Sequence, residues 1–449
     1  MKSKYHCLIL VFLLTVQNLQ SQNFQPYIEI LTADEIVGVK IGDLNNDGLN
    51  DVITSYGANA GIKIQFQNAD HTLQPFITLP VSGYKVTSFD VGDLNQDGLT
   101  DIFLTFENYY GIFYQKSSGG FEALQKFDTG RKTGVIRIAD LNKDNKNDVV
   151  FTNSNNVNTL YQTTAGTFTT EKIPLTHYFG ELRIADFNND QRNDLIFTSW
   201  PTKEIFTFLQ KESGGFHNPV KTFVNTAMAG MAVGDLNNDG LTDVLTTQYE
   251  NNSSSLKVFY PSLNSYIFYS YIEYAAVNRA DTVEIADFDN DGKNEIVTGS
   301  YGYNTCSIYG SSYNNFKRLK TIDIPYYNHS EYQSLAVGDI NNDGFKDILF
   351  TKQNGIVILY NSGNSLNTTP KNKETAIGLF PNPATHQLNF KINFKGNSYF
   401  IHDFSGKLIK KGIVDLNNQI NISLLSAGNY ILSITDQSEK IHSQKFTKK

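Results

Sequence analysis

The sequence contains little sulfur and little tryptophan: its 449 residues include two cysteines, three methionines and one tryptophan. Cys7 lies in an N-terminal apolar stretch that we expect to be removed, which leaves Cys306 as the remaining cysteine. One cysteine cannot form an internal disulfide, so the mature chain must be stabilised in another way.

Long hydrophobic runs are scarce as well. The clearest one, Cys7–Val16, is a largely apolar stretch of ten residues that follows Lys2 and Lys4 and precedes the small residue Ser21. A transmembrane helix needs about 20 apolar residues. We therefore predict that residues 1–22 are a signal peptide, that the chain is secreted, and that no segment spans a membrane.

Motifs of common catalytic sites are also missing. The chain has no Gly-x-Ser-x-Gly elbow, no His-Glu-x-x-His pair and no phosphate-binding glycine loop. The histidines of the first 362 residues are isolated from one another in sequence. We predict a protein that is not an enzyme and that has no nucleic-acid partner.

A nine-residue acidic pattern, in contrast, is present seven times. Its copies lie 46 to 52 residues apart, and each follows Ile or Val and then Gly or Ala. The copies begin at Asp43, Asp93, Asp140, Asp186, Asp235, Asp287 and Asp339. A repeat of this length is typical of the blades of a β-propeller.

Each repeat unit contains four segments with strand character. Alternating apolar residues precede the acidic pattern, a short apolar run follows it, a third strand comes next, and an aromatic residue opens the fourth. Clear fourth strands are predicted at 121–127, 168–173, 216–223 and 316–324. The seventh unit lacks a fourth strand, whereas Phe24–Leu31 precedes the first unit and has the same character. We predict an all-β, seven-bladed β-propeller over residues 23–362, closed by this N-terminal strand.

The acidic pattern has the composition of a metal-binding loop. Oxygen-bearing side chains stand at positions 1, 3, 5 and 9, and alternating oxygens on a tight turn suit a hard cation with six to eight oxygen ligands, which favours Ca²⁺. Position 12 is never acidic and strands flank the loop, so the pattern is not an EF-hand. With the main-chain carbonyl of position 7 included, the predicted ligands are Asp43, Asn45, Asp47, Leu49 and Asp51; Asp93, Asn95, Asp97, Leu99 and Asp101; Asp140, Asn142, Asp144, Lys146 and Asp148; Asp186, Asn188, Asp190, Arg192 and Asp194; Asp235, Asn237, Asp239, Leu241 and Asp243; Asp287, Asp289, Asp291, Lys293 and Glu295; and Asp339, Asn341, Asp343, Phe345 and Asp347.

The seven loops are not expected to bind equally. Position 6 needs a positive φ and is Gly in five loops, but it is Asn145 in loop three and Gln191 in loop four. Loop six carries four carboxylates and the other loops three, which together make 22 of the 45 acidic residues. We predict that loop four binds Ca²⁺ most weakly and loop six most tightly, and that most of the acidity is neutralised internally.

On these motifs, residues 24–362 resemble the FG-GAP/VCBS repeat family, whose calcium loops recur in the integrin α-subunit propeller. The resemblance implies calcium coordination by the side chains named above. It does not imply an integrin-like partner, because propellers of this type serve many purposes.

The C-terminal part has a different character. Residues 363–376 are polar, include Pro370 and lack periodicity, as in a linker. Residues 377–449 contain alternating strands at 388–394, 399–404, 420–424 and 430–434, which predicts a small β-sandwich.

This segment is similar to the C-terminal sorting domain of the type IX secretion system. The similarity lies in Pro381–Ala384, Ser405–Lys407, Leu425–Tyr430 and the basic end Lys445–Lys449. It implies export to the periplasm, passage across the outer membrane by the type IX machinery, and then release or attachment to the cell surface.

Aromatic residues in the loops opposite the acidic loops point to a binding function. Rings with polar neighbours can stack on sugars or anchor a protein, so we predict a module that binds a glycan or a cell-surface protein. The candidate contacts are Tyr110, Tyr178, Trp200, Tyr249, Tyr301 and Tyr327. One alternative is a polysaccharide lyase or hydrolase that uses Arg131, Lys132, His177, Arg279 and His329; another is a purely structural surface protein.

Overall fold

The computed structural model describes residues 24–363 and 378–449, apart from 33–34, 58–60, 155, 164–165, 175–179, 251–252, 262–267, 269, 277–278, 301, 313–314, 326–332, 392–395, 404–406, 415–417 and 437–440. The predicted signal peptide lies outside the described residues, and so does the predicted linker except for Gly363. The chain divides into two compact units, Met1–Asn364 and Ser365–Lys449.

The first unit consists of antiparallel four-stranded sheets, of which the described residues form seven. We number the sheets in the order of their acidic loops and give their strands from first to fourth. Sheet 1 contains Ile36–Gly42, Asp51–Tyr56, Ile62–Gln65 and Ile77–Leu79; sheet 2 contains Val86–Gly92, Asp101–Phe106, Tyr109–Phe113 and Gln125–Asp128; sheet 3 contains Thr133–Ala139, Asp148–Asn153, Asn156–Gln162 and Phe168–Pro174; sheet 4 contains Leu182–Ala185, Asp194–Ser199, Glu204–Phe208 and Val220–Phe223.

The remaining sheets of this unit follow the same order. Sheet 5 contains Met228–Gly234, Asp243–Glu250, Ser253–Phe259 and Ile272–Ala275; sheet 6 contains Thr282–Ala286, Glu295–Ser300, Thr305–Ser312 and Asn315–Asp323; sheet 7 contains Leu335–Gly338, Asp347–Lys352, Gly355–Leu359 and Ile28–Leu31. The prediction of an all-β chain with repeated four-stranded units is confirmed.

The N-terminal strand supplies the fourth strand of sheet 7. Ile28 pairs with Ile358 and Leu31 with Gly355, and Phe24 forms an isolated bridge with Asn361. The first strand of each sheet contacts the first strand of the next, and that of sheet 7 contacts that of sheet 1. The predicted pairing of the first and last segments is therefore confirmed, and the sheets follow one another as the blades of a propeller do.

Small residues before each acidic loop allow the first strands to approach closely. A Cβ atom added to Gly92 would lie 3.0 Å from Cγ2 of Ile138 in sheet 3, and one added to Gly338 would lie 3.0 Å from Cγ2 of Ile41 in sheet 1. The second strand of a sheet is covered by the sheets on either side of it; Asp101–Phe106 of sheet 2, for example, is buried along its whole length. Apolar side chains of adjacent sheets fill the space between them, such as Val150 of sheet 3 and Phe197 of sheet 4.

The second unit contains two antiparallel sheets. One has the strands Gly378–Phe380, Gln387–Lys391 and Gln419–Asn421; the other has Leu408–Ile413, Gly396–Asp403, Gly428–Asp436 and Ile441–Lys448. Leu388 and Phe390 of the first sheet share a core with Ile401, Leu432 and Phe446 of the second. Three of these strands, Gly378–Phe380, Leu408–Ile413 and Ile441–Lys448, had no counterpart in the sequence prediction.

The described part of the chain contains no helix with the length and apolarity needed to cross a membrane.

Candidate metal sites in the acidic loops

Each acidic loop connects the first and second strands of its sheet and has a left-handed backbone at two positions. Position 6 has a positive φ whether it is Gly48 (82°), Asn145 (62°) or Gln191 (63°). Position 4 also has a positive φ in every loop, at Asn46, Gln96, Lys143, Asn189, Asn238, Asn290 and Asn342. Asn tolerates this conformation better than most residues, which explains its frequency at position 4.

The carboxylate at position 1 organises the turn. In loop one, Oδ1 of Asp43 accepts a hydrogen bond from the main-chain N–H of Asp47 (3.2 Å), and Oδ2 accepts one from Gly48 (2.9 Å). The bond from position 6 recurs in all seven loops. These bonds hold the position 1 carboxylate at the centre of the loop.

The carboxylate at position 9 lies buried beneath the loop. Asp51 has no exposed surface; its Oδ2 accepts a hydrogen bond from the N–H of Leu44 (2.8 Å), and its Oδ1 accepts one from Gln67 (2.9 Å), next to the end of the third strand. The bond from position 2 recurs in every loop. Position 9 thus fastens the loop to the sheet below it.

Burial makes the charged form of position 9 unfavourable. Loss of hydration, with smaller contributions from the carboxylates at positions 1 and 5, raises the pKa of Asp51, Asp101 and Asp148 to about 6 and of Asp194, Asp243 and Asp347 to about 7. The same effects raise the pKa of Glu295 in loop six to about 8. The raised pKa values therefore reflect mainly the burial of these carboxylates, and to a smaller extent the acidic side chains around them.

Loop six brings three carboxylates together. Oxygens of Asp287, Asp289 and Glu295 lie within 4.8 Å of one another. Burial and then the neighbouring Asp291 raise the pKa of Asp289. A compact group of carboxylate oxygens on a rigid turn suits a hard divalent cation, and the residues present therefore fit Ca²⁺.

In loops three and four the basic residue at position 7 forms an ion pair within the loop, whereas among the described residues no ion pair is formed by Lys293 at position 7 of loop six. Nζ of Lys146 lies 3.0 Å from Oδ2 of Asp144, and Nη2 of Arg192 lies 2.6 Å from Oδ2 of Asp190. In both pairs the basic residue is at position 7 and the acid at position 5. The ion pairs occupy carboxylate oxygens that we predicted to bind metal.

Side chains at positions 4 and 8 connect neighbouring loops, which the sequence analysis missed. From position 4, Asn46 donates to the carbonyl of Gly98 in the next loop (2.8 Å), and Asn342 of loop seven donates to Gly48 of loop one (3.3 Å). From position 8, Asn50 donates to the carbonyl of Asp339 in the preceding loop (2.7 Å). The recurrence of Asn at both positions was the available sequence signal.

The predicted aromatic contacts have different environments. The ring of Tyr110 stacks on Phe103 (5.0 Å between centroids) and on Phe127 (4.8 Å), which lie on the strands to either side of it. Tyr110 thus stacks on two rings of its own sheet, and its contact with a ligand stays a prediction. Trp200 is 65 % exposed. Tyr249 lies in the strand Asp243–Glu250, and Tyr178, Tyr301 and Tyr327 lie outside the described residues.

Of the five residues named for the enzyme alternative, the three that the structure describes show no shared site. Nε of Arg279 lies 2.8 Å from Oδ1 of Asp281, and Arg131 and Lys132 are exposed. His177 and His329 lie outside the described residues.

Comparison with protein families identifies both parts of the chain. A model described as FG-GAP-like repeat matches residues 43–104, 93–151, 140–197, 186–246 and 287–350, which together make up more than half of the sequence. A second model, described as secretion system C-terminal sorting domain, matches residues 378–449. No curated protein matches the chain. The chain belongs to the FG-GAP-like repeat family and ends in a type IX sorting domain, which marks it as a secreted or surface protein.

Proposed function

We propose that the seven loops bind Ca²⁺ and that the ions hold a closed, seven-bladed ring which acts as a secreted binding module. The observation that carries this proposal is the convergence of Asp287, Asp289 and Glu295 in loop six, on a loop geometry that recurs seven times. A bound divalent ion would stabilise the charged form of the position 9 carboxylates, which burial and the neighbouring carboxylates disfavour.

Metal content tests the first half of the proposal. Equilibrium dialysis of residues 23–449 against Ca²⁺ should give seven ions per chain, and Glu295→Gln should lose one. The control is Glu212→Gln, an exposed acid outside the loops, which should keep all seven. A wild-type chain that binds no Ca²⁺, or a Glu295→Gln chain with unchanged content, would contradict the proposal.

The partner is proposed to be a glycan or a cell-surface protein. Trp200 supports this, because a large aromatic ring that is 65 % exposed offers a face on which a sugar ring or an apolar side chain can stack. Tyr303, which lies between the second and third strands of sheet 6 as Trp200 does in sheet 4, is 59 % exposed.

A glycan array and a pull-down of surface proteins on the calcium-loaded chain test the partner. Trp200→Ala should weaken any binding by about tenfold or more, as truncation of an aromatic contact at a binding site does. Phe223→Ala removes a ring that is 64 % exposed on an outer strand and should have no effect. Equal binding by Trp200→Ala and the wild-type chain would refute this site.

We infer that export uses the type IX machinery through residues 378–449. In a bacterium with this secretion system, removal of residues 378–449 should keep the chain in the periplasm, whereas the full chain should reach the medium or the cell surface. Secretion of the truncated chain would contradict this route.

A further inference from the structure

A cavity of about 470 Å³ lies among the first strands of the sheets. Its walls come from 39–41 in sheet 1, 284–286 in sheet 6 and 335–337 in sheet 7; Arg137, Arg183, Gln333 and Lys346 complete the lining. Sites for small molecules typically have volumes of about 300 to 1,000 Å³. The cavity is therefore large enough for a monosaccharide or a comparable small molecule.

The cavity arises from one position of the repeat. The residue three before each loop, which we call the channel position, is Lys40, Asp90, Arg137, Arg183, Ala232, Glu284 and Ala336 in sheets 1 to 7. Sheets 1 and 6 place a long charged side chain there, whereas sheet 7 between them has Ala336. The short side chain of Ala336 leaves space beside Lys40 and Glu284.

Gln333 closes one side of this space. Its Nε2 donates a hydrogen bond to the carbonyl of Phe89 (2.6 Å), and its Oε1 accepts one from the N–H of the same residue (3.1 Å). Gln333 is 6 % exposed and precedes sheet 7, while Phe89 is on the first strand of sheet 2. The paired bonds fix the amide and give the cavity a rigid polar wall.

The charged side chains at the channel position form two groups of ion pairs, the second of which includes Glu181. Lys40 pairs with Asp90 (2.5 Å), and Arg183 contacts Glu181 (2.6 Å) and Glu284 (3.1 Å). Nη2 of Arg137 lies 3.7 Å from Oε2 of Glu181. A guanidinium has five N–H donors, so both arginines retain donors beyond these contacts.

Lys346 adds a positive charge that these ion pairs do not neutralise. The cavity and its ion pairs contain four cations, Lys40, Arg137, Arg183 and Lys346, and three carboxylates, Asp90, Glu181 and Glu284. Among the described residues no carboxylate forms an ion pair with Lys346. Lys346 is at loop position 8, where Asn50, Asn193 and Asn294 instead donate to a neighbouring loop.

The environment of Arg137 agrees with this excess of positive charge. Burial, followed by the charge of the neighbouring Arg183, lowers the pKa of Arg137. Burial also lowers the pKa of Lys40, and this effect exceeds the opposing effect of Asp90. An added negative charge in the cavity would stabilise both cations.

We propose that this cavity binds a small molecule with a carboxylate, sulfate or phosphate group, and that Lys346, Arg137 and Arg183 supply the positive charge that recognises it. The volume suits a free small anion or the acidic end of a glycan. Lys346 belongs to loop seven but is not among the predicted metal ligands, and Trp200 is not part of the cavity lining. The proposal does not rest on the proposed function of the acidic loops or of Trp200.

Calorimetric titration of the calcium-loaded chain with sodium D-glucuronate, sodium sulfate and D-glucose tests the proposal. Glucuronate, sulfate or both should bind with one site per chain, and glucose should not bind. Binding should weaken as the NaCl concentration rises, because salt screens the charges. Binding of glucuronate alone would identify a sugar acid, whereas binding of both anions would identify a general oxyanion site.

Three variants locate the binding in the cavity. Lys346→Asn introduces the residue found at position 8 of four other loops and should reduce affinity about three- to tenfold through loss of one charge. Ala336→Leu should abolish binding because it fills the cavity. Lys143→Asn is the matched control: it removes one positive charge at position 4 of loop three, where five loops have Asn, and it should bind as the wild-type chain does.

Three results would overturn the proposal. These are no saturable binding of either anion, equal binding of glucose and glucuronate, and equal effects of Lys346→Asn and Lys143→Asn. Both lysine variants introduce a residue common at their loop positions, so thermal melting of each variant with Ca²⁺ verifies that a loss of binding is not a loss of folding.

Discussion

Loop six and loop four have the same main-chain hydrogen bonds but differ in the charges of their side chains. In both loops the position 1 carboxylate accepts a hydrogen bond from the N–H of position 6, and the buried carboxylate at position 9 accepts one from the N–H of position 2. In loop six, three carboxylates converge and position 6 is Gly292; in loop four, Arg192 pairs with Asp190 and position 6 is Gln191. The comparison teaches that the repeat fixes the shape of the loop, while its charges vary from loop to loop; we propose that these charges set the affinity for Ca²⁺.

Removal of all bound Ca²⁺ should lower the stability of the chain more than any single substitution, because every loop then loses the contribution of its ion and the two loops no longer differ in it. Each site occupied at about 100 times its Kd contributes about 2.7 kcal/mol to the free energy of unfolding. We expect EGTA to lower the Tm by more than about 10 °C, measured by circular dichroism. An unchanged Tm in EGTA would show that the loops are stable without metal.

Single-loop variants should separate loop six from loop four by about 2 kcal/mol in the stabilisation that Ca²⁺ provides. Asp287→Ala should reduce the stabilisation by Ca²⁺ by about 3 kcal/mol, whereas Asp186→Ala should reduce it by less than about 1 kcal/mol because loop four binds weakly. The quantity to measure is the difference in free energy of unfolding with and without Ca²⁺, in which the metal-independent cost of each substitution cancels. Equal losses would remove the proposed ranking.

The effect of Ca²⁺ should grow with pH. In the metal-free chain the folded pKa values of position 9 lie above those of the unfolded chain, up to about 8 at Glu295. The folded state then holds more protons than the unfolded state, so its stability is highest at low pH and falls as the pH rises through the folded pKa. We expect the gain in Tm on adding Ca²⁺ to be larger at pH 8 than at pH 5, and a gain that shrinks with pH would contradict this origin of the pKa shifts.

Changes toward the consensus in loop four should give the smallest effect. Gln191→Gly removes the strain of a positive φ, worth about 1 kcal/mol, and Arg192→Leu introduces the residue found at position 7 of loops one, two and five. The double variant should bind one Ca²⁺ more tightly at limiting metal, as measured by isothermal titration. The same change at position 7 of loop six, Lys293→Leu, is the control and should have less effect, because among the described residues no ion pair joins Lys293 to Asp291.

Much of the fold was predictable because the repeat has a clear period. Apolar runs next to each acidic loop located the first and second strands, and the aromatic residue at the start of Phe168–Pro174 located a fourth strand. The pairing of the N-terminal strand with sheet 7 was predictable because the seventh repeat unit lacked a fourth strand, while the strand before the first unit had no unit of its own. In the second unit the strand Leu408–Ile413 was missed because it carries two lysines and a glycine, and its side chains are half-buried or exposed.

The site was predictable only at the level of residue types. Positions 1 and 9 were identified, but their hydrogen bonds depend on main-chain atoms that a sequence does not place. The stacking of Tyr110 on Phe103 and Phe127 was not predicted, because these rings lie on different strands and meet only when the sheet forms. The charges at the channel position escaped notice because about 50 residues separate Lys40 from Asp90 in the sequence.

A crystal of the chain grown with calcium chloride provides the most direct test of the central claim. An anomalous difference map should show one peak in each of the seven loops, among the side-chain oxygens of positions 1, 3, 5 and 9, with the highest peak in loop six and the lowest in loop four. A folded chain without anomalous density in these loops would contradict the account.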